Sequence, residues 1–307
     1  MEIRVLQYFL TVAREQSISA AAEYLHLTQP TLSRQLKDLE KELGKTLMIR
    51  GGRNRGIILT EDGMLLRKRA EEIIELVSKT EKEVMLSEPS VCGDIYIGTA
   101  ETDAIRLLAQ TARQIQAVWP GIHFHMVSGD SVDILERIDK GLLDFGILMG
   151  DAGKKKYDYL DFPLLDTWGV LMRKDCELAQ KETIVPEDLW DKPLILSRQS
   201  LAAGELAHWF QKDSTELNIV ATYSLIFNAS LMVDEGMGYA LGLDRLINTT
   251  GDSSLCFRPL FPKYTLGMDI RWKKYRILSK AAEVFISELQ QSLTQAPKMP
   301  LINRSAR

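Results

Sequence analysis

The stretch SAAAEYLHLTQPTLSRQLKDLEKELG, residues 19–44, contains two helical patterns separated by a short break. Ala21 and Ala22 lie on the first pattern and are small enough for another helix to approach closely. The second pattern begins after Thr28, which can cap a helix N-terminus, and ends at Gly44, a common C-cap. Its leucines recur at intervals of four, three and four, which predicts one buried stripe: Leu32, Leu36, Leu39 and Leu43.

The polar side chains of the second helix avoid the leucine stripe and can contact DNA. A helix in the major groove reads bases mainly through its N-terminal residues. Arginine can donate two hydrogen bonds to guanine, and glutamine can pair with adenine. A solvated polar face is the commoner explanation when only the helix pattern is considered. The side chains concerned are Gln29, Thr31, Ser33, Arg34, Gln35 and Lys37.

A basic hairpin is predicted directly after these helices. Two apolar runs, residues 46–49 and 56–59, flank the sequence Arg50-Gly51-Gly52-Arg53-Asn54-Arg55, which is typical of a glycine-rich turn. Seven cations and three anions lie between residues 28 and 59, a local charge of +4 in a chain whose net charge is −4. Phosphate contact requires such a local patch rather than a basic protein. The hairpin therefore favours a winged DNA-binding module over an ordinary helix pair.

A long helix with a heptad-like seam is predicted after Thr60. Glu61 and Asp62 fall in its first turn, where the helix dipole favours acids. The seam consists of Leu66, Ala70, Ile73, Val77, Thr80 and Val84. A lone helix cannot bury this seam, so we expect dimerisation through it, with packing on its own domain as the alternative. The sequence Ser87-Glu88-Pro89-Ser90 then indicates a linker.

Short apolar strands alternate with helical patterns after residue 90, which is typical of an α/β fold. The first set has the order βαβαβ, with strands at 94–99, 122–127 and 144–148 and helices at 102–118 and 131–140. The second set has strands at 193–196, 219–223 and 266–272 and helices at 202–210, 229–234 and 279–293. Segments 161–167 and 265–268 are expected to cross between two lobes, and a ligand cleft is expected between those lobes.

Composition excludes several classes of protein. A length of 307 residues with 45% hydrophobic and 26% charged residues predicts about two globular domains. Cys92, Cys176 and Cys256 match no disulfide framework, so reduced thiols in a cytoplasmic protein are expected. We identify no signal peptide and no apolar run long enough for a membrane span. The tail after Ala296 is expected to be disordered.

Catalytic and metal-binding motifs are weak. His123 and His125 share one face of a predicted strand, but no third ligand is evident. Ser200 and Ser230 lack the G-x-S-x-G context of a hydrolase nucleophile, and no phosphate-binding loop is found. We therefore expect neither an enzyme nor a protein with a metal or another cofactor.

The chain resembles LysR-type transcriptional regulators over about residues 1–295. The resemblance is carried by Leu6, Phe9, Val12-Ala13, Ser17, Ala21-Ala22, Leu25, Thr28-Gln29-Pro30, Leu32-Ser33, Leu36, Leu39-Glu40, Gly44, Leu47, Arg50 and Leu59-Thr60-Glu61-Asp62-Gly63. Later segments are similar as well: Trp119-Pro120-Gly121, Gly141-Leu142-Leu143-Asp144-Phe145-Gly146-Ile147 and Glu235-Gly236-Met237-Gly238. Two departures are Met48, where the family often has phenylalanine, and residues 239–244, which lack a common proline.

The resemblance implies an α/β chain with an all-α-type winged helix-turn-helix domain at its N-terminus. The remainder would be an effector domain of two α/β lobes resembling periplasmic binding proteins. The implied boundaries are 1–60 for the DNA-binding domain, 61–88 for a dimerising linker helix and 89–307 for the effector domain. Within the effector domain, lobe I would comprise about 91–162 and 268–295, and lobe II about 163–267.

Functional positions can be carried over residue by residue. The DNA-reading positions would be Gln29, Pro30, Thr31, Ser33 and Arg34, with Arg53 in the wing. The effector positions would be Thr99, Glu101, Thr102, Ser128, Met149, Arg198, Ser200, Phe227 and Asn228. Thr99, Thr102 and Arg198 suit an anion, whereas Glu101 and Asp103 would repel one. A helix cap or a surface polar group is an equally good explanation of any single position.

The resulting hypothesis is a sequence-specific DNA-binding regulator that responds to a small-molecule effector bound between two lobes. Its expected partners are double-stranded promoter or operator DNA, the effector, further copies of the chain and RNA polymerase, with no membrane contact. A homodimer would form through the linker helix, and the family resemblance favours a homotetramer. The alternative is a cytoplasmic small-molecule-binding protein with a helical dimerisation appendage.

Overall fold

The computed structural model describes residues 1–50, 56–85, 91–150, 153–204 and 206–295. The chain divides into two compact units, Met1–Ser87 and Glu88–Arg307. Three predictions lie outside the described residues: the wing tip with Arg53, the linker at 87–90 and the tail after Ala296. No helix in the described ranges is long and apolar enough to cross a membrane.

The first unit is a helical domain with one short hairpin. Its elements are α1 (Ile3–Glu15), α2 (Ile18–Tyr24), α3 (Gln29–Leu43), β1 (Met48–Arg50), β2 (Ile57–Leu59) and α4 (Glu61–Met85). Strands β1 and β2 are antiparallel. Phe9 and Val12 of α1, Ala21 of α2 and Leu32 of α3 are completely buried in one core. Met48 is half-buried against the same core, so the departure from phenylalanine is accommodated there.

The second unit is an α/β domain whose described residues form a sheet of nine strands, eight of them on one continuous path. Its elements are β3 (Gly93–Thr99), α5 (Ile105–Val118), β4 (Ile122–Ser128), α6 (Ser131–Asp139), β5 (Phe145–Met149), β6 (Tyr157–Arg173), β7 (Leu194–Ser197), α7 (Arg198–Ala203), α8 (Ala207–Phe210), β8 (Ile219–Tyr223), α9 (Ile226–Asp234), β9 (Tyr239–Leu243), β10 (Leu255–Pro259), β11 (Thr265–Lys273) and α10 (Lys280–Gln295). The strand order is β4-β3-β5-β11-β6-β9-β7-β8, with β10 also paired to β6.

Two lobes are joined through the long strand β6. In the first lobe, β3 pairs with β4 and β5 in parallel, which confirms the predicted βαβαβ unit. Residues 157–167 of β6 pair with β11, and residues 168–173 pair with β9 and β10 of the second lobe. Each lobe has its own core, one containing Phe145 and Phe285 and the other containing Trp168 and Phe210.

Several elements differ from their predicted extents. The single helix predicted at 202–210 is two short helices, because Gly204 adopts φ +65° and ends α7. Helix α5 begins at Ile105 rather than at residue 102, since the Thr102 hydroxyl accepts the Ala104 N–H in a preceding turn. Strands β6 and β10 were not predicted as strands; residues 161–167 of β6 were expected only to cross between the lobes.

Candidate DNA-binding helix and ligand cleft

Helix α3 is fixed at both ends by the residues that the sequence indicated. The Thr28 hydroxyl accepts the Thr31 N–H at 3.4 Å and lies 2.8 Å from the Thr31 hydroxyl. Gly44 adopts φ +64° at the C-cap, a conformation that favours glycine. Leu32, Leu36 and Leu39 are buried, whereas Leu43, the fourth residue of the predicted stripe, is 39% exposed on the last turn, so its predicted burial was wrong. One face of α3 is thus held on the core while its start remains accessible.

The opposite face of α3 is polar and open to solvent. Gln29, Pro30, Thr31, Arg34 and Lys37 are exposed, and Ser33 and Gln35 are half-buried. The Arg34 side chain is 84% exposed, and its Nε lies 3.9 Å from an Asp38 carboxylate oxygen, too far for a hydrogen bond. The Arg34 guanidinium therefore keeps its donors available to a partner.

The hairpin is attached to the helices by several hydrogen bonds. The Glu40 carboxylate of α3 accepts the Leu47 N–H at 2.7 Å, and the Ile57 N–H of β2 donates to the Gln16 carbonyl at 2.7 Å. Gly56 is required beside this contact, because an added Cβ would overlap the Gln16 oxygen. These contacts fix the base of the wing relative to α3, although its tip with Arg53 lies outside the described residues.

A cleft in the second unit lies between the two lobes. It encloses about 490 Å³, including the part open to solvent. The end of β3 and Met149 of β5 contribute from the first lobe, and the starts of α7 and α9 contribute from the second. The lining residues are Ala100, Glu101, Met149, Trp168, Ser197, Gln199, Ser200, Tyr223, Ser224, Ile226, Gly242, Leu243 and Leu246.

Glu101 connects the two lobes across this cleft. Its carboxylate accepts the N–H of Ile226, the first residue of α9, at 2.6 Å. Burial raises the pKa of Glu101 above its usual value, and the hydrogen bond from Ile226 opposes this shift. Gln199 of α7 forms a second connection by donating to the Ser131 hydroxyl at 3.1 Å.

A third connection lies beside the cleft and involves Arg245. Its guanidinium is 3.0 Å from the Asp103 carboxylate of the first lobe and 3.3 Å from the adjacent Asp244. Asp244 also accepts the Thr167 N–H at 3.1 Å. Asp244 and Arg245 directly follow β9, in the segment where the common proline is absent.

The structure brings three of the nine predicted effector residues into the cleft lining: Glu101, Met149 and Ser200. Thr102 is buried, and its hydroxyl donates to Asp166 at 2.7 Å. The buried Thr99 hydroxyl donates to the Ala100 carbonyl at 2.6 Å. The remaining four are exposed and do not line the cleft: Ser128, Arg198, Phe227 and Asn228.

Each of the two units matches a known protein-family model. Residues 3–64 match the family model for bacterial regulatory helix-turn-helix proteins of the lysR family, and residues 90–294 match the LysR substrate binding domain. This chain belongs to the LysR family. It is a DNA-binding transcriptional regulator with an effector-binding domain, and the α/β fold class with an N-terminal winged helix-turn-helix domain is confirmed.

Relatives with this LysR architecture match most of the chain. The HTH-type transcriptional regulator BsdA of Bacillus subtilis is 30% identical over 246 residues, 78% of this chain and 83% of BsdA. The Hca operon transcriptional activator HcaR of Escherichia coli is 28% identical over 95% of this chain and 98% of HcaR. The structure of CbnR in complex with its target DNA shares the fold, with a TM-score of 0.77, 19% identity and coverage of 95% of this chain and 100% of CbnR.

Several cleft residues of this LysR-family chain were missed by sequence reasoning. Trp168 lies on β6 and Tyr223 ends β8, and both reach the cleft only through the strand order β6-β9-β7-β8. Gln199 lies between the two predicted positions Arg198 and Ser200. Gln199 could have been predicted from the sequence, because it follows β7 at the strand end where α/β proteins place ligands.

His123 and His125, the two histidines on one predicted strand, lie on the edge strand β4. His125 stacks on Tyr96 with ring centroids 4.7 Å apart, and its Nε2 lies 3.2 Å from the Asp94 carboxylate. His123 is exposed on the same edge strand. Within the described ranges, no group of three or more metal-ligating side chains is assembled.

Proposed function

We propose that this regulator reads operator DNA with the exposed edge of α3 and adjusts that binding in response to a small molecule in the interlobe cleft. The observation that carries the proposal is the geometry of α3. Leu32, Leu36 and Leu39 are buried while its N-terminal polar residues are exposed, as insertion into a major groove requires. The relative CbnR has been solved with its target DNA, which supports this use of the shared fold.

The polar residues exposed on α3 can each make a particular contact with DNA. Arg34 can donate to a guanine edge, and Gln29 or Gln35 can pair with adenine. Lys37, on the following turn, contacts a phosphate. Thr31, Ser33 and Pro30 lie among these groups and complete the DNA surface, with Arg53 of the wing reaching the adjacent backbone.

The same proposal assigns a separate function to each of three segments of the chain. Residues 1–60 bind DNA, residues 61–88 dimerise and residues 89–307 bind the effector. On α4, Leu66 packs on the core of its own unit and Ala70 is buried, so this part of the seam has an intradomain role. Ile73 and Val77 are half-exposed outside that core, and Val84 is 68% exposed. This later part of the seam supplies the homodimer contact, from which a homotetramer can be built.

Ligand binding is proposed to alter the arrangement of the two lobes or of paired effector domains. Such a change would alter the spacing of the DNA-binding domains, and with it DNA bending or contact with RNA polymerase. The coupling requires that the ligand bind one arrangement more tightly than another. The chain acts in the cytoplasm, where a bacterial regulator meets the chromosome, and it regulates rather than catalyses.

Substitution of Arg34 tests the DNA-reading assignment. We expect Arg34→Ala to lose about 1–3 kcal/mol of binding free energy on a cognate site and much less on random DNA. Mobility shifts at moderate salt on DNA upstream of the gene and on random DNA measure both quantities.

Lys41→Ala is the matched control, because Lys41 is an exposed cation on the last turn of α3. It should affect both DNAs similarly and weakly. Equal losses on both DNAs for Arg34→Ala would reassign Arg34 as a phosphate contact. No loss on either DNA would contradict the assignment of α3 as the reading helix.

A further inference from the structure

The ligand cleft carries a single formal charge among its lining residues. That charge is the Glu101 carboxylate; the other lining side chains in the described part of the chain are neutral. Trp168, Leu243 and Leu246 supply apolar surface beside it. The cleft therefore presents one anionic group on a largely neutral wall.

Nearby cations do not neutralise this carboxylate. Arg245 is engaged with Asp103 and Asp244. Arg198, at the start of α7, is exposed and outside the cleft lining. Among the described residues, the hydrogen-bond partner of Glu101 is the Ile226 N–H, a neutral donor at a helix N-terminus. A half-buried carboxylate in this setting is stabilised by a ligand that brings positive charge.

Trp168 forms part of the cleft wall without offering it a polar group. The residue is 96% buried, and its indole Nε1, which has almost no accessible surface, has no acceptor among the described residues. What Trp168 supplies to a ligand is therefore the apolar surface of its ring.

We propose that the effector of this regulator is a small amine-bearing cation whose positive group pairs with the Glu101 carboxylate. This inference rests on the proposed function, because it takes the interlobe cleft as the effector site. The apolar body of the ligand lies against Trp168, Leu243 and Leu246.

The same residue excludes carboxylate ligands. An anion would be attracted to the N-terminus of α9, but the Glu101 carboxylate already occupies the Ile226 N–H there. Binding an anion would place two negative charges together in a partly buried site. Glu101 thus selects cations both by attraction and by repulsion of the opposite class.

Two series of matched probes test this charge preference on the full chain. The aromatic series is tyramine, tyrosol and 4-hydroxyphenylacetate, and the aliphatic series is butylamine, butanol and butyrate. Within each series the body is similar and the charge differs. Thermal shifts at millimolar probe, followed by calorimetry, report binding, because a ligand of the folded state raises the unfolding midpoint.

We expect the amines to raise the midpoint more than the neutral and anionic members of each series. In Glu101→Gln, which retains an oxygen to accept the Ile226 N–H, the dissociation constant for tyramine should rise by about tenfold or more. The same variant should bind 4-hydroxyphenylacetate more tightly than the wild type does. Glu182→Gln, the same change at an exposed residue outside the cleft, should leave all constants unchanged.

Three results would overturn the inference: stronger stabilisation by the neutral or anionic probes, no binding of either amine, or an amine affinity that Glu101→Gln leaves unaltered. A mobility shift without any probe tests the proposed DNA-binding function separately. DNA binding without amine binding would reject only the effector class. Amine binding by a chain that binds no DNA would instead reject the regulatory function.

Discussion

At the scale of single residues, Asp166 is a buried carboxylate whose charge is poorly compensated. One oxygen accepts the Thr102 hydroxyl at 2.7 Å, and the other has no partner among the described residues. Burial raises the pKa of Asp166 above its ordinary value of 3.8; the Thr102 hydrogen bond and Arg245 oppose this, and Asp244 and Asp103 add to it. Its ionisation therefore costs folding free energy.

The pH dependence of stability follows from the sign of that shift. Below about pH 3.8 Asp166 is protonated in both folded and unfolded chains, so its contribution to stability is fully present. That contribution is lost as the pH rises through the higher pKa of the folded state. Asp166→Asn should consequently gain stability relative to the wild type as the pH rises above 3.8. Urea unfolding of both proteins from acidic to neutral pH measures the difference.

Asp158→Asn provides a control on the same strand, because Asp158 is exposed on β6. Its stability difference from the wild type should change little over the same pH range. A difference for Asp166→Asn that is flat with pH, or that moves in favour of the wild type, would contradict the assigned shift.

Residue-level prediction succeeded where the relevant neighbour was local. Thr28 and Gly44 were predicted to cap the two ends of α3, and both do so in the structure. Thr102 was expected near a ligand, yet it donates to Asp166, which is 64 positions away in the chain. Glu101 was expected to repel anions. Its hydrogen bond with Ile226 was not predicted, because the two residues are 125 positions apart in the chain. No local pattern encodes such pairs, because the strand order creates them.

At the scale of elements, α3 is determined by residues close together in the sequence, whereas β6 depends on strands that are distant in the sequence. Amphipathic spacing and two caps define α3 within 17 residues, and its bounds follow from sequence. Strand β6 contains Asp158, Asp161, Pro163 and Asp166, residues with low strand propensity, and the sequence predicted only a segment that crosses between lobes at residues 161–167. It is extended because it pairs with β11 at one end and with β9 and β10 at the other.

The half-exposed part of the seam on helix α4 is the surface through which we expect two copies of the chain to associate. Val77 lies on the half-exposed part of the seam, outside the core of its own unit. If this surface joins two copies, Val77→Glu buries an unpaired charge in the dimer and should weaken dimerisation by about tenfold or more. Sedimentation over a dilution series measures the dissociation constant.

Ser78→Glu adds the same charge to the same helix at the neighbouring exposed position, which points about 100° away around the helix axis. It should leave the dimer intact. Equal weakening by both variants would show a general charge effect, and an unaltered dimer in Val77→Glu would remove this part of the seam from the interface.

At the scale of the whole molecule, DNA and cleft ligand must influence each other equally if one chain couples them. Should tyramine change operator affinity by some factor, operator DNA must change tyramine affinity by the same factor. Calorimetry of tyramine with and without operator, and mobility shifts with and without tyramine, give the two factors independently. Arg34→Ala should bind tyramine normally, but at operator concentrations that saturate only the wild type, its tyramine affinity should no longer respond to DNA. A DNase footprint unchanged by bound tyramine, with both factors equal to one, would show that cleft occupancy and DNA reading are independent.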